Sequence, residues 1–347
     1  MAEHAPSQPQ PGSLLPLITA YMPARVVHVA AQLGIADRIK DGASSAEQLA
    51  RELDVHEPSL RRLLRAMCSI GLLLETQSAC FRLTPLGGQL RSDVPGSALN
   101  LALMFGGERA WRCWEVLPQS VRTGEPGMKQ VYGRGSFEYL AANPVQAAIF
   151  NRAMAEITRA TTQSLVRSYD FSGIDMLMDV GGGNGALLAG IAAANPQLRG
   201  KVFDLPAGCA EARRTFEAAG VADRCEAVAG DFFKEVPAGA QAYILKSVIH
   251  DWNDEDSVAI LRACRRATGE QGRLLIIERI MPELMTATPE NQRKAMLDMN
   301  MLAMPGGRER TELEYRELLE HCGFSLMRII PVPDLAVGII EAKGSNR

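Results

Sequence analysis

Of the five histidines in the chain, His250 stands where an apolar run turns abruptly polar, in "LKSVIHDWNDED" from Leu245 to Asp256. An imidazole is the side chain best suited to take a proton near neutral pH. A carboxylate on one ring nitrogen fixes the tautomer and raises the basicity of the other. Glu278 qualifies as that partner, because it interrupts the apolar run "LLIIERIMP", where an acid is costly unless it faces a polar site. Glu309 qualifies too, from the glycine-rich "PGGRERTELEY" ahead of a helix. Each has an ordinary explanation. His250 can be a partly exposed histidine, Asn253 to Asp256 a helix cap and first turn, and Glu309 a partner for Arg308 or Arg310.

A second group of residues has the chemistry to hold a nucleoside. An apolar strand runs into "DVGGGNG", where Gly181, Gly183 and Gly185 allow a tight turn and close approach of a ligand to the backbone. Asp204 ends the following strand 23 residues beyond Gly181, where a carboxylate can accept both hydroxyls of a ribose. That much suits either a dinucleotide or an adenosyl cofactor, and from Gly181 to Ala186 the loop also passes for the GxGxxA fingerprint of NAD. Asp179 and the Asp231 of "GDFF" tip the choice. A second carboxylate can accept from an adenine amino group while Phe232 or Phe233 covers the base, with no obvious place for a pyrophosphate. The competing explanation is that Asp204 and Asp231 only cap the turns after them.

No metal site is expected. His4, His28, His56, His250 and His321 are far apart, and no carboxylate cluster has ligand spacing. A GxSxG elbow and a GxxxxGK[ST] phosphate loop are both missing.

Residues so scattered need a scaffold that gathers strand ends. After Phe171 the sequence alternates strands and helices, with strand candidates at 176–180, 201–205, 225–230, 242–249 and 273–281. Such alternation predicts a parallel sheet covered on both faces. "SLMRIIPVP" and "LAVGIIEAK" follow closely and should pair as a hairpin, giving a seven-stranded sheet with an antiparallel edge. From Leu14 to about Tyr169 the pattern is helical. There Ser44 or Ser45 can cap a helix through Leu53, Pro58 can open a second, Gly71 can end it, and a two-stranded wing can follow. The expected divisions are a disordered tail over 1–13, a helical winged-helix domain over 14–170 and an α/β domain over 171–347.

Arg61, Arg62 and Arg65 on the second wing helix raise DNA binding. Glu47, Glu52, Asp54 and Glu57 argue for a packing or dimer-forming role instead. A formal charge of -3 and a pI near 6 give no general attraction to nucleic acid or to an anionic membrane. Seven scattered cysteines without CxxC spacing read as reduced thiols, and the N-terminal residues lack a signal-peptide pattern, so a cytoplasmic protein is expected. Arg25, His28 and Asp37 break up the most apolar early segment, and no membrane span is expected.

Taken in order, "DVGGGNG", "VFDLP", "GDFF", "LKSVIHDWNDED", "ERIMP" and "PGGRERTELEYRELLEHCGF" resemble the S-adenosylmethionine-dependent O-methyltransferases of the plant caffeate and hydroxyindole type and their bacterial counterparts. The resemblance covers most of the chain. It implies a seven-stranded Rossmann-like class I methyltransferase domain behind a mainly α winged-helix dimerisation domain, and a homodimer. S-adenosylmethionine would be the cofactor, and a hydroxyl of an aromatic or polycyclic small molecule the methyl acceptor. By the same resemblance Gly181, Asp204, Asp231, Phe232 and Lys246 contact the cofactor, His250 is the general base, and Glu278 and Glu309 flank it. Phe150 and Met154, with Met299, Asn300 and Ala303, would line the acceptor pocket.

The stretch before "PGG" is one residue shorter than the plant pattern and differs in its side chains, so plant acceptor specificity does not carry over. Some bacterial relatives bind the cofactor for other chemistry after losing the base, whereas this chain keeps His250. The rival readings are a winged-helix DNA-binding regulator that senses an adenosyl ligand and an NAD-dependent reductase.

Overall fold

The computed structural model describes residues 13–40, 42–332 and 335–345. These form two compact units, one ending at Glu108 and the other beginning at Arg109. The tail expected over 1–13 lies, except for Ser13, outside the described residues.

In the first unit the Ser45 hydroxyl accepts from the Gln48 N–H at 3.1 Å and caps the helix Ala46–Leu53. Pro58 sits in the first turn of the helix Glu57–Ser69, and Gly71 follows its end at φ 79°, a left-handed position that suits glycine. The wing pairs Leu73–Glu75 with Cys80–Leu83, and Ser44–Ser45 adds a third strand on the other side. Leu49, Leu64, Met67, Leu73 and Phe81 fill the core of this winged-helix unit. Arg61 is tied to Glu57 and Arg65 to Glu75, so those two arginines are paired within the unit.

The second unit is built on a seven-stranded sheet: β1 Met176–Val180, β2 Arg199–Asp204, β3 Cys225–Ala229, β4 Ala242–Lys246, β5 Arg273–Glu278, β6 Phe324–Pro331 and β7 Gly338–Gly344. The order across the sheet is β6-β7-β5-β4-β1-β2-β3. Both faces are covered. Leu177, Ile244, Leu275 and Ile277 pack into one cluster, and Met178, Tyr243, Leu245, Leu274 and Ile276 into another. This is why the strands read as continuous apolar runs rather than as alternation.

The closing hairpin gives the sheet its expected antiparallel edge. β7, which pairs antiparallel with β5, lies one strand in from the edge, and β6 takes the edge. Burial decides it: β7 hides Ile339, Ile340 and Ala342, while β6 leaves Ser325, Met327 and Arg328 exposed. By compactness the units divide at Glu108, whereas the periodicity of the sequence changes near residue 170. The helix α1 (Pro144–Ser168) belongs with the sheet, since its Thr162 packs on Gly190 of the helix α2 (Ala186–Ala194) so closely that a Cβ there would lie 2.3 Å away.

Among the described residues no helix is long and apolar enough to cross a membrane.

Candidate active site

Strands β1 to β5 are parallel and in register, so Val180, Asp204, Ala229, Lys246 and Glu278 end on one edge of the sheet. The strand order reverses between β1 and β4, which is where an open α/β sheet forms a ligand crevice. Past β1 the chain turns through Gly181, Gly183 and Gly185, all with positive φ. A Cβ at Gly181 would lie 2.8 Å from Val248, whereas one at Gly183 would meet nothing within 4 Å. The Gly183 side of the loop is thus open for a bound group.

Asp204 holds this loop by accepting from the Gly183 N–H at 2.8 Å, and its other oxygen takes the Leu205 N–H at 2.6 Å. Burial pushes its carboxyl above the usual range, against the pull of those two N–H donors. Asp231 accepts from the Phe233 N–H at 3.0 Å. Both acids therefore do cap turns, yet every oxygen involved keeps an unused lone pair. Phe232 leans on the loop, 3.5 Å from where a Gly181 Cβ would be.

Asp179 lies beneath the loop against Gly182, buried to 1 % exposure. Its pKa is about 7, raised by burial and by Asp204 against the attraction of Lys246. The Lys246 ammonium, lowered by burial and supported by Glu278 and Asp179, donates to the Thr158 hydroxyl at 3.3 Å.

The fourth strand stops earlier than the sequence suggests. It ends at Lys246, and Ser247 takes a left-handed φ of 54°, turning the chain off the sheet. His250 thus sits in a one-turn helix, Ile249–Asp251, and not on a strand end. Glu278 holds the turn: its Oε1 accepts from the backbone N–H of Val248 at 2.9 Å and of His250 at 3.3 Å.

The imidazole is buried among acids. Nδ1 lies 2.9 Å from Glu309 Oε1 and 3.4 Å from Glu278 Oε2, and Nε2 lies 3.7 Å from Asp251. Burial alone would lower its pKa, but Glu278, Asp251 and Glu309 outweigh that and hold it near 9. Glu309 is itself buried, yet His250 and Arg279 keep it below the usual carboxyl range, while burial raises Glu278 despite His250. Asp251 rises to about 7 through burial, opposed by His250. The three side chains His250, Glu278 and Glu309 come within 4.8 Å of one another, a spacing a metal ion would also accept. Arg279 supplies a cation to Glu309 at 3.2 Å, on the same oxygen that faces Nδ1.

Several supporting residues carried no signal in the sequence. Asp298 accepts the Glu309 N–H at 2.8 Å. Arg310, only 1 % exposed, pairs with Asp254 at 2.7 Å and donates to the carbonyls of Ile249 (3.2 Å) and Trp252 (3.1 Å), at the two ends of the His250 turn. The sequence offers Arg310 only as a partner for Glu309, and nothing in the spacing says that it is buried.

Of the acceptor-lining candidates, Phe150 and Met154 lie four residues apart on α1 and, like Met299 and Asn300, stay partly exposed. Phe150 meets the edge of Phe137 at 6.3 Å between centroids, and Phe137 stacks on Trp252 at 5.4 Å. Asn300 accepts from Trp114 Nε1 at 3.2 Å. Ala303 is different: it is fully buried with Cys113 and Met128 in a core cluster and is closed to a ligand.

With this geometry in view, two family models match the chain. The O-methyltransferase domain covers residues 114–325 and the O-methyltransferase dimerisation domain covers 15–92. The phenazine O-methyltransferase PhzM of Lysobacter antibioticus is 40% identical over 330 residues, which is 95% of this chain and 95% of that protein. Among solved structures, LaPhzM superimposes with a TM-score of 0.91 at 40% identity, covering 95% of this chain and 98% of that one. The O-methyltransferase NcsB1 of neocarzinostatin biosynthesis, solved with S-adenosylmethionine and 2-hydroxy-5-methyl naphthoic acid, gives a TM-score of 0.79 at 32% identity, covering 99% and 100%. The chain belongs to the S-adenosylmethionine-dependent O-methyltransferase family and has its class I methyltransferase fold. The readings as a DNA-binding regulator and as a reductase give way to that membership.

Proposed function

We propose that the chain methylates a phenolic hydroxyl of an aromatic or polycyclic small molecule, with His250 as the general base. The observation that carries this reading is the buried imidazole, held by Glu309 and Glu278 beside the glycine loop, with Asp251 3.7 Å from its other nitrogen. Gly181, Asp204, Asp231, Phe232 and Lys246 would hold the cofactor: an open loop, two carboxylates with lone pairs to spare and a ring leaning on the loop suit an adenosyl group.

S-adenosylmethionine supplies a methyl group on a sulfonium, already a good leaving group. What is left to the protein is alignment and removal of the acceptor proton. A phenol with a pKa of roughly 10 is largely protonated at neutral pH. Nε2 would take that proton as the oxygen becomes a nucleophile, and Glu309 and Glu278 would stabilise the imidazolium. Phe150, Met154, Met299 and Asn300 would hold the flat acceptor, with Ala303 behind them as packing. PhzM and NcsB1, whose names place them on phenazines and in neocarzinostatin biosynthesis, support a polycyclic acceptor. The test is transfer of label from methyl-labelled donor to a polycyclic phenol. An aryl methyl ether is expected; label on carbon or nitrogen alone would contradict the reading.

A base must be neutral to act. Because the carboxylates raise the His250 pKa to about 9, the neutral fraction grows as pH rises through the neutral range. We expect kcat/KM for the acceptor to climb by about tenfold per pH unit and to level near pH 9. A profile already flat from pH 7 would contradict this. The same sign governs stability. The imidazolium's contribution is complete below the ordinary imidazole value and is lost as pH passes about 9.

The chain should act as a homodimer through its first unit. Leu14, Leu15, Leu17, Ile18, Tyr21 and Met22 are all exposed, a contiguous apolar stretch that a soluble monomer rarely leaves uncovered. Replacing Leu15 and Ile18 together by aspartate should give monomers in sedimentation at micromolar concentration. A wild-type protein that is already monomeric there would refute the dimer.

A further inference from the structure

Arg109, on the helix Glu108–Glu115, is a cation in the wrong company. It is 7 % exposed, and it meets the Ser136 hydroxyl at 3.2 Å and the Phe150 ring at 5.8 Å. Among the described residues no carboxylate pairs with Arg109, and the titratable groups that act on it are Cys113, whose thiol burial raises to about 11, and the phenols of Tyr139 and Tyr132. Burial accordingly lowers its pKa without an acid to restore it. A buried guanidinium is normally paired, because leaving it unpaired costs far more than its packing returns.

The same side chain lies against the acceptor wall proposed above. Phe150, under the guanidinium, touches Phe137, which stacks on Trp252, two residues past His250. The helix carrying Arg109 also carries Trp114, which holds Asn300.

We propose that Arg109 is an anion subsite of the acceptor pocket, taking the carboxylate of an aromatic hydroxy acid whose ring packs on Phe150. The planar fork matches a carboxylate, and Ser136 offers a hydroxyl beside it. The one guanidinium that meets both Ser136 and Phe150 suits one negative charge; a phosphate ester would call for more. This inference rests on the O-methylation reading and narrows it to acidic acceptors.

The test is calorimetric binding, to protein saturated with S-adenosylhomocysteine, of a hydroxynaphthoate and of its primary carboxamide, which has the same shape without the charge. Wild type should favour the acid by about 10-fold to 100-fold, the range of a charge-assisted hydrogen-bonded pair. Arg109→Met should bring the ratio close to one, and Arg109→Lys should keep part of it. The melting temperature and S-adenosylhomocysteine affinity of each variant show whether it folds. Equal wild-type affinity for acid and amide, or a preference that survives Arg109→Met, would overturn the subsite. If Arg109→Met does not fold, the Arg109→Lys ratio decides: a value equal to wild type overturns the inference. Efficient methylation of the amide sinks only the subsite, whereas no methylation of any phenol sinks the reading on which it rests.

Discussion

His250→Ala should lower methyl transfer to a weakly acidic phenol by about 10²-fold or more, the scale of a lost general base, while S-adenosylhomocysteine affinity changes by less than about twofold. The separation follows from the layout. The glycine loop is pinned through Asp204 on β2, and the His250 turn is pinned through Glu278, whose bonds go to backbone N–H groups that alanine keeps. Removing the ring leaves Glu309 with Arg279 but takes a cation away from a buried carboxylate pair, so some loss of stability should accompany the loss of rate. His250→Gln is the control. An amide can still donate to Glu309 but cannot accept a phenolic proton usefully, so it should recover stability and not rate. If His250→Gln turned over at the wild-type rate, the imidazole would be a structural donor only.

Gly307→Ala should be nearly as damaging, although its side chain would hold no polar atom. A Cβ at residue 307 would stand 2.0 Å from the His250 carbonyl oxygen, 2.3 Å from the Asp251 carbonyl carbon and 2.5 Å from the Trp252 nitrogen. All three are backbone atoms of the turn that presents the imidazole, so no rotamer change relieves the contact. The turn must shift, and it is held at both ends by Arg310. Displacement of a catalytic group by about 1 Å can cost around 10²-fold. We expect a fall of that order in kcat, together with a lower melting temperature. Wild-type kcat in Gly307→Ala would mean that the turn tolerates displacement and that its geometry is not what supports the rate.

The sequence made some parts of this site legible and hid others for physical reasons. The glycine loop, Asp204 and the wing follow local grammar: a strand, a turn that needs positive φ, a capping hydroxyl at Ser45. His250, Glu278 and Glu309 were visible as polar residues in apolar or glycine-rich surroundings, and the structure brings them together. Ser247 was not visible, because a left-handed serine is set by its neighbours: its N–H still bonds to Ile277 while Glu278 gathers the next turn. Arg310 and Arg109 were hidden for a related reason. Whether an arginine is solvated or buried depends on which distant segment covers it, and spacing along the chain carries no trace of that. The sheet edge was likewise decided by burial, since the hairpin could have docked either strand on β5 and the more apolar one won.

The most direct test of the account compares wild type with His250→Gln over a series of phenols of falling pKa, at fixed pH and saturating S-adenosylmethionine. If His250 removes the proton, the ratio of their rates should be largest, about 10²-fold or more, for the least acidic phenol and should shrink towards one as the phenol ionises by itself. A ratio that stays the same across the series would contradict His250 as the base.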